Sequence, residues 1–133
     1  MPKLVLLVED KTEEIEKAKA ALAEVGFKPA LARTYTEAKT IWAALGANLA
    51  GVITDLHFPE REGRDSKLPC GIAIAVQARE ENVPVVICTN VNHHNCEYLW
   101  HTWVILKIPT SETKDWRWAA ETLDSLIVKG DQS

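Results

Sequence analysis

The sequence predicts an α/β fold in which a parallel sheet carries helices on both faces. Two observations carry that prediction. Short apolar runs alternate with segments of helical periodicity along the whole chain, which is the signature of successive βαβ units. Four of the runs also end in polar chemistry: residues 4–8 lead into Glu9 and Asp10, 51–54 into Asp55, 84–88 into Thr89, and 103–106 into Lys107. Strands of a parallel sheet bring their C-terminal ends to one edge, where open α/β sheets bind their ligands. Three carboxylates, a hydroxyl and an ammonium collected there suit a divalent cation and a phosphoryl group.

The elements follow in order. Behind the first strand, Ile15, Ala18, Leu22 and Val25 recur at helical spacing, and Gly26 supplies a stop. Residues 28–32 give a short, weakly signalled second strand. Thr34-Tyr35-Thr36-Glu37 reads as a capping box that opens a helix through Ile41, Trp42 and Leu45, with Gly46 helping to end it. The Asp55 strand comes next, followed by a charged loop over 57–69 that contains Gly63 and two prolines, Pro59 and Pro69. Residues 71–81 return to helix, with Ile72, Val76 and Arg79 spaced along it, and 84–89 form the fourth strand. Residues 90–102 are expected to hold a short, irregular helix, because Asn-Val-Asn-His-His-Asn is poor helix sequence. The fifth strand runs into Lys107, and Ser111 caps a final helix whose apolar face is Trp116, Ala119, Ala120, Leu123 and Ile127. The expectation is five strands and five helices in one domain over residues 1–133, with no output domain.

Bulk properties narrow the function classes. A chain of 133 residues buries about two-thirds of its unfolded surface, enough for a core without disulfides. A net charge of -4 gives no electrostatic footprint for nucleic acid. No apolar stretch is long enough to span a bilayer, and Met1-Pro2-Lys3-Leu4 leads directly into a strand without a signal-peptide core. Three cysteines argue for a reducing compartment, and the expectation is a cytoplasmic protein with no membrane or nucleic-acid partner.

Glu9 and Asp10 after the first strand, Asp55 ending the third, Thr89 ending the fourth, Lys107 ending the fifth, and the segment Asp55-Leu56-His57-Phe58-Pro59 together resemble the receiver domain of two-component response regulators. The likeness covers residues 3 to about 128. It implies a doubly wound, flavodoxin-like sheet of five parallel strands in the order 2-1-3-4-5. It also implies that Glu9, Asp10 and Asp55 hold Mg²⁺, an ion that prefers hard oxygen ligands, with the backbone carbonyl of His57 as a further ligand. Asp55 would be the nucleophile toward a phosphohistidine or a small phosphodonor. Lys107 and the metal would neutralise the transferring group, and Thr89 would donate its hydroxyl to a phosphoryl oxygen. The implied partners are a histidine kinase or phosphotransfer protein, and the implied role is a stand-alone signalling switch, not an enzyme. His57, beside the phosphoacceptor, could tune the loss of the phosphoryl group.

Four features depart from the family pattern. Ile108 separates Lys107 from Pro109, where the family has Pro directly after its lysine. Asn90 follows Thr89 where a small residue is usual, and Val104 stands three before Lys107 where an aromatic residue is usual. Gly71, which fits the glycine that opens the third helix, comes late, leaving residues 60–68 as a charged insertion beside the site. That insertion reads as a lid, as a partner-recognition element or as a tolerated surface loop. The interval from Thr89 to Lys107 is correspondingly short, which predicts a truncated fourth helix. Asn90 and Ile108 motivate an alternative, a pseudo-receiver that keeps the fold as a protein-binding module without taking up phosphate.

Trp116 falls on the apolar stripe of the last helix and Trp118 lies off it, which leaves two readings of Trp118: packing over a loop, or a homodimer face near Trp103 and Trp118. His93, His94, Cys96 and His101 lack the paired spacing of zinc sites, and Cys88 reads as a small core residue.

Overall fold

The structure, a computed structural model, describes residues 2–56, 58–63, 70–89 and 104–132. The strands are β1 (Lys3–Val8), β2 (Phe27–Ala32), β3 (Gly51–Thr54), β4 (Val85–Cys88) and β5 (Thr110–Ser111). The helices are α1 (Thr12–Glu24), α2 (Tyr35–Leu45), α3 (Gly71–Glu80) and the final helix α4 (Trp116–Gln132). All four strand pairings are parallel, and the sheet order is β2-β1-β3-β4-β5, the flavodoxin-like order expected. Among the described residues no helix is long and apolar enough to cross a membrane.

Alternation along the strands sorts the core into two layers, because successive side chains of a strand face opposite sides of the sheet. Leu6, Val8, Val52, Val85 and Ile87 pack with Ala38 and Trp42 of α2 and with Ile74, Ala75 and Ala78 of α3. Val5, Leu7, Ile53, Val86 and Cys88 pack on the other face with α1 and α4. The central strands are buried on both faces, which is why they read as unbroken apolar runs. The expected stripe of the final helix is the one observed: Trp116, Ala119, Ala120, Leu123 and Ile127 are all buried. At α2, Thr34 caps the helix by accepting from Glu37 N at 3.1 Å, and Glu37 Oε1 accepts from Arg33 N at 3.0 Å.

Three expectations need correction. The fifth strand is not residues 103–106. Val104 and Ile105 are helical and strongly exposed, and the strand beside β4 is Thr110–Ser111, registered as Ile87 with Thr110 and Cys88 with Ser111. An edge strand pairs on one side only, so two residues suffice to complete the sheet without an apolar run to announce them. Ser111 is therefore a strand residue, and the first turn of α4 is capped by Asp115, whose Oδ1 accepts from Trp118 N at 3.0 Å. The buried face of α3 is Gly71, Ile74, Ala75 and Ala78, whereas Val76 is exposed. The truncated helix expected between Thr89 and Lys107 rested on the wrong lysine, and residues 90–103 lie outside those described.

The phase of α3 is set by one close approach. Gly71 N donates to the Leu56 carbonyl at 2.9 Å, so the chain leaves β3, makes its insertion and returns to the residue next to Asp55. A Cβ at position 71 would lie 2.8 Å from Leu56 Cα and closer still to the Asp55 carbonyl oxygen. Only glycine fits there without moving backbone. We expect Gly71→Ala to lower unfolding free energy by about 2–3 kcal/mol in denaturant titration, the cost of overpacking. Gly46→Ala, whose Cβ would meet only the Trp42 ring at 3.5 Å, should change it by less than about 0.5 kcal/mol.

Candidate functional site

The carboxyl ends of β1, β3 and β4 meet as their parallel order requires. Glu9 follows β1 with its backbone N–H on the Ala32 carbonyl, and Asp55 follows β3 with its N–H on the Val8 carbonyl at 2.9 Å. These ladder bonds continue the sheet by one residue and bring the two carboxylates side by side. Glu9 and Asp55 are both buried, while Asp10 is half-buried. Carboxylate oxygens of Glu9, Asp10 and Asp55 lie within 4.8 Å of one another, as the sequence reading expected. Thr89, buried, closes the edge at the end of β4. His57 and Asn90 lie outside the described residues, as do Trp103, His93, His94, Cys96 and His101.

Among the described residues the ammonium at the site is that of Lys114, not Lys107. Its ammonium donates to Glu9 Oε2 and, at 2.8 Å, to Asp55 Oδ2, with all three side chains almost fully buried. Lys107 precedes β5 and lines a cleft with Val83, Pro84 and Val85 at the opposite, amino-terminal edge of the sheet. The correction follows from the shifted strand: the lysine that follows the real β5 is the one delivered to the carboxyl edge. The signal was present, since the apolar stripe of the final helix starts at Trp116 and places Lys114-Asp115 directly before it.

Backbone geometry aims this lysine. Lys114 N donates to the Thr89 carbonyl at 3.1 Å, which docks the loop on the end of β4. Lys114 adopts a left-handed φ of 55°, a conformation that costs a non-glycine residue about 1–2 kcal/mol and persists where its surroundings hold it. The departure noted at Ile108 moves to Asp115, which follows Lys114, while Ile108 is a buried residue leading into β5 and Pro109 supplies its carbonyl to Ile87 N. The residue three before Lys114 is Ser111, whose Oγ accepts from Thr113 N and Asp115 N, so a hydroxyl occupies the position where the family has an aromatic ring.

Among the described residues three carboxylates face one ammonium, and the imbalance shows in Glu9. Burial pushes its carboxyl up to about 7, the Asp55 charge adds to the shift, and Lys114 offsets part of it. For Lys114 burial alone would lower the value, but the charge of Asp55 and the hydrogen bonds to Asp55 and Glu9 outweigh it and hold the ammonium above its ordinary range. Asp55 Oδ1 accepts from Leu56 N at 2.7 Å, which fixes the carboxylate plane. An all-oxygen donor set that is short of positive charge fits a small hard dication. Cys88, by contrast, is a fully buried thiol pushed well up by burial, in keeping with a core residue.

Solved structures share this architecture. The chain superposes on a CheY-like response regulator receiver domain protein from Methanospirillum hungatei with a TM-score of 0.75 at 14% identity, covering 99% of this chain and 98% of that one. The signal receiver domain of an HD domain-containing protein from Pseudomonas fluorescens matches with a TM-score of 0.73 at 17% identity, over 100% of both chains. The receiver domain of a histidine kinase from Syntrophus aciditrophicus matches at 0.71 and 19%, covering 98% and 94%. This chain has the receiver-domain fold. No protein-family model matches the sequence, and no curated protein does. Within the receiver fold, Glu9, Asp10, Asp55 and Thr89 stand where the sequence reading put them, and Lys114 takes the place assigned to Lys107.

Removing the ammonium leaves two buried carboxylates facing each other. Lys114→Met should cost about 3–5 kcal/mol at pH 8, the range for an orphaned buried charge, and Lys107→Met less than about 0.5 kcal/mol. Chemical denaturation of both variants checks this. The Glu9 shift sets a pH dependence for metal-free protein. Its folded value of about 7 exceeds the ordinary 4.5, so the folded state holds the proton more tightly, and stability falls as pH rises between those values. In EDTA the melting temperature of wild type should decline across that window, and that of Glu9→Gln should decline less.

Proposed function

We propose that this chain is a phosphoacceptor switch of two-component signalling, in which a carboxylate oxygen of Asp55 takes a phosphoryl group from a phosphohistidine or a small phosphodonor. The observation that carries the reading is the buried Lys114 ammonium spanning Glu9 and Asp55 at the carboxyl edge of a receiver-fold sheet. Glu9, Asp10 and Asp55 would hold Mg²⁺, with the His57 carbonyl that the resemblance adds, and the bound ion would offset the charge of the transferring group.

The chain's own residues do the rest. Leu56 N–H holds Asp55 Oδ1 and fixes the plane from which the carboxylate attacks. A new P–O bond forms as the P–N bond to the donor imidazole breaks, and the imidazole leaves with its electron pair. Lys114 then exchanges part of its bond to Asp55 for one to a phosphoryl oxygen, so the negative charge stays paired throughout. Thr89, on the adjacent strand end, would donate its hydroxyl to another phosphoryl oxygen. The donor would be a histidine kinase or a phosphotransfer protein, and the readout a change of protein contacts. Because Ser111 replaces the aromatic residue, that readout does not run through a rotating ring at the usual position.

Intact-protein mass spectrometry after incubation with Mg²⁺ and acetyl phosphate tests the proposal. A single phosphoryl adduct is expected on wild type, and none on Asp55→Asn or in EDTA. Absence of the adduct, together with no response of tryptophan fluorescence to beryllofluoride, would contradict it and favour a pseudo-receiver that works through its surfaces.

A further inference from the structure

Lys114 is held from a second side that the phosphoacceptor chemistry leaves unused. Its ammonium sits 5.6 Å from the centre of the Trp116 ring, inside the range of a cation–π contact. The ring is itself fixed, being buried in the α1–α4 layer while its indole N–H donates to Glu14 Oε2 of α1 at 2.6 Å. Glu14 keeps a second tie to Lys17 at 3.6 Å. No proline follows Lys114, and the residue that does, Asp115, spends its side chain on the Trp118 N–H. Glu9 and Asp55 hold the ammonium from one side, and the Trp116 ring meets it from another.

We infer that Trp116, clamped by Glu14, is a positioning residue that holds the Lys114 ammonium over Glu9 and Asp55. The inference rests on the phosphoacceptor reading for its consequence but not for its geometry. Indole bulk alone does not account for the arrangement, since a leucine would fill the same layer without a face for the ammonium. The aromatic face is what Lys114 uses, and the indole N–H is what keeps that face still. The same contact gives the site a mechanical link to α1, because any shift of Lys114 toward an incoming anion changes the load on a ring tied to Glu14.

The test compares Trp116→Phe, Trp116→Leu and Glu14→Ala with wild type in ¹⁵N-lysine-labelled protein, reading the order of the Lys114 ammonium by relaxation. The second readout is the rate of adduct formation from acetyl phosphate as a function of Mg²⁺. Trp116→Leu should loosen the ammonium and slow phosphorylation about fivefold, the size of one such contact, without moving the Mg²⁺ concentration at half-rate. Trp116→Phe should recover most of the order, and Glu14→Ala should fall between the two. An equally ordered ammonium and an unchanged rate in Trp116→Leu would overturn the inference. Should that variant fail to fold, an unchanged ammonium order in Glu14→Ala would overturn it instead. If wild type itself takes no phosphoryl group, the functional reading fails, and the relaxation comparison still decides the positioning role.

Discussion

The ion triad of Lys114 with Glu9 and Asp55 is the interaction on which the rest of the edge depends. Two carboxylates on neighbouring parallel strands cannot both be buried as anions without a compensating cation, because each loses its water and feels the other's charge. The ammonium supplies the compensation, and several backbone devices serve to deliver it. The left-handed turn at Lys114, its N–H on the Thr89 carbonyl and the cap at Asp115 all bring one side chain back over the sheet. Among the described residues the third carboxylate, Asp10, has no paired cation at the half-exposed end, so the same arrangement that stabilises the fold also leaves the described edge short of positive charge.

The other side of the site is built by a second constraint, the contact of Gly71 with the Asp55–Leu56 backbone. It lets a long excursion leave and return without disturbing the acceptor strand. The first residues of that excursion are tied down as well. Pro59 O accepts from Tyr35 N and Glu60 O from Thr36 N, both at 2.9 Å, so the loop caps the start of α2. Pro59 and Glu60 are thus part of the framework around the site. The Thr36 hydroxyl also donates to the Glu60 carbonyl, at 2.9 Å, but a bond to a backbone carbonyl is invisible to a motif search.

Most of the fold was legible because the central strands are buried on both faces and must be apolar, and because the helices that cover them repeat at helical spacing. The acidic pair, Asp55 and Thr89 were legible for the same reason: each directly follows an unmistakable strand. The lysine was not, because β5 is a two-residue edge strand made of Thr110 and Ser111, with nothing apolar to mark it. The run at 103–106 offered a false strand whose Val104 and Ile105 are 54% and 76% exposed. The better guide was the last helix, whose buried stripe begins at Trp116 and leaves Asp115 as the cap and Lys114 as the residue at the sheet edge. The face of α3 was not assigned from the sequence, since its rotation is fixed by a backbone contact at Gly71 and not by its own apolar pattern.

The most direct test is a crystal structure of the protein with Mg²⁺ and beryllofluoride. The account predicts a fluoroberyllate on Asp55 with the Lys114 ammonium in hydrogen-bonding contact with it, and the metal among Glu9, Asp10 and Asp55. A structure in which Lys114 points away from Asp55, or in which Lys107 reaches the anion, would contradict it.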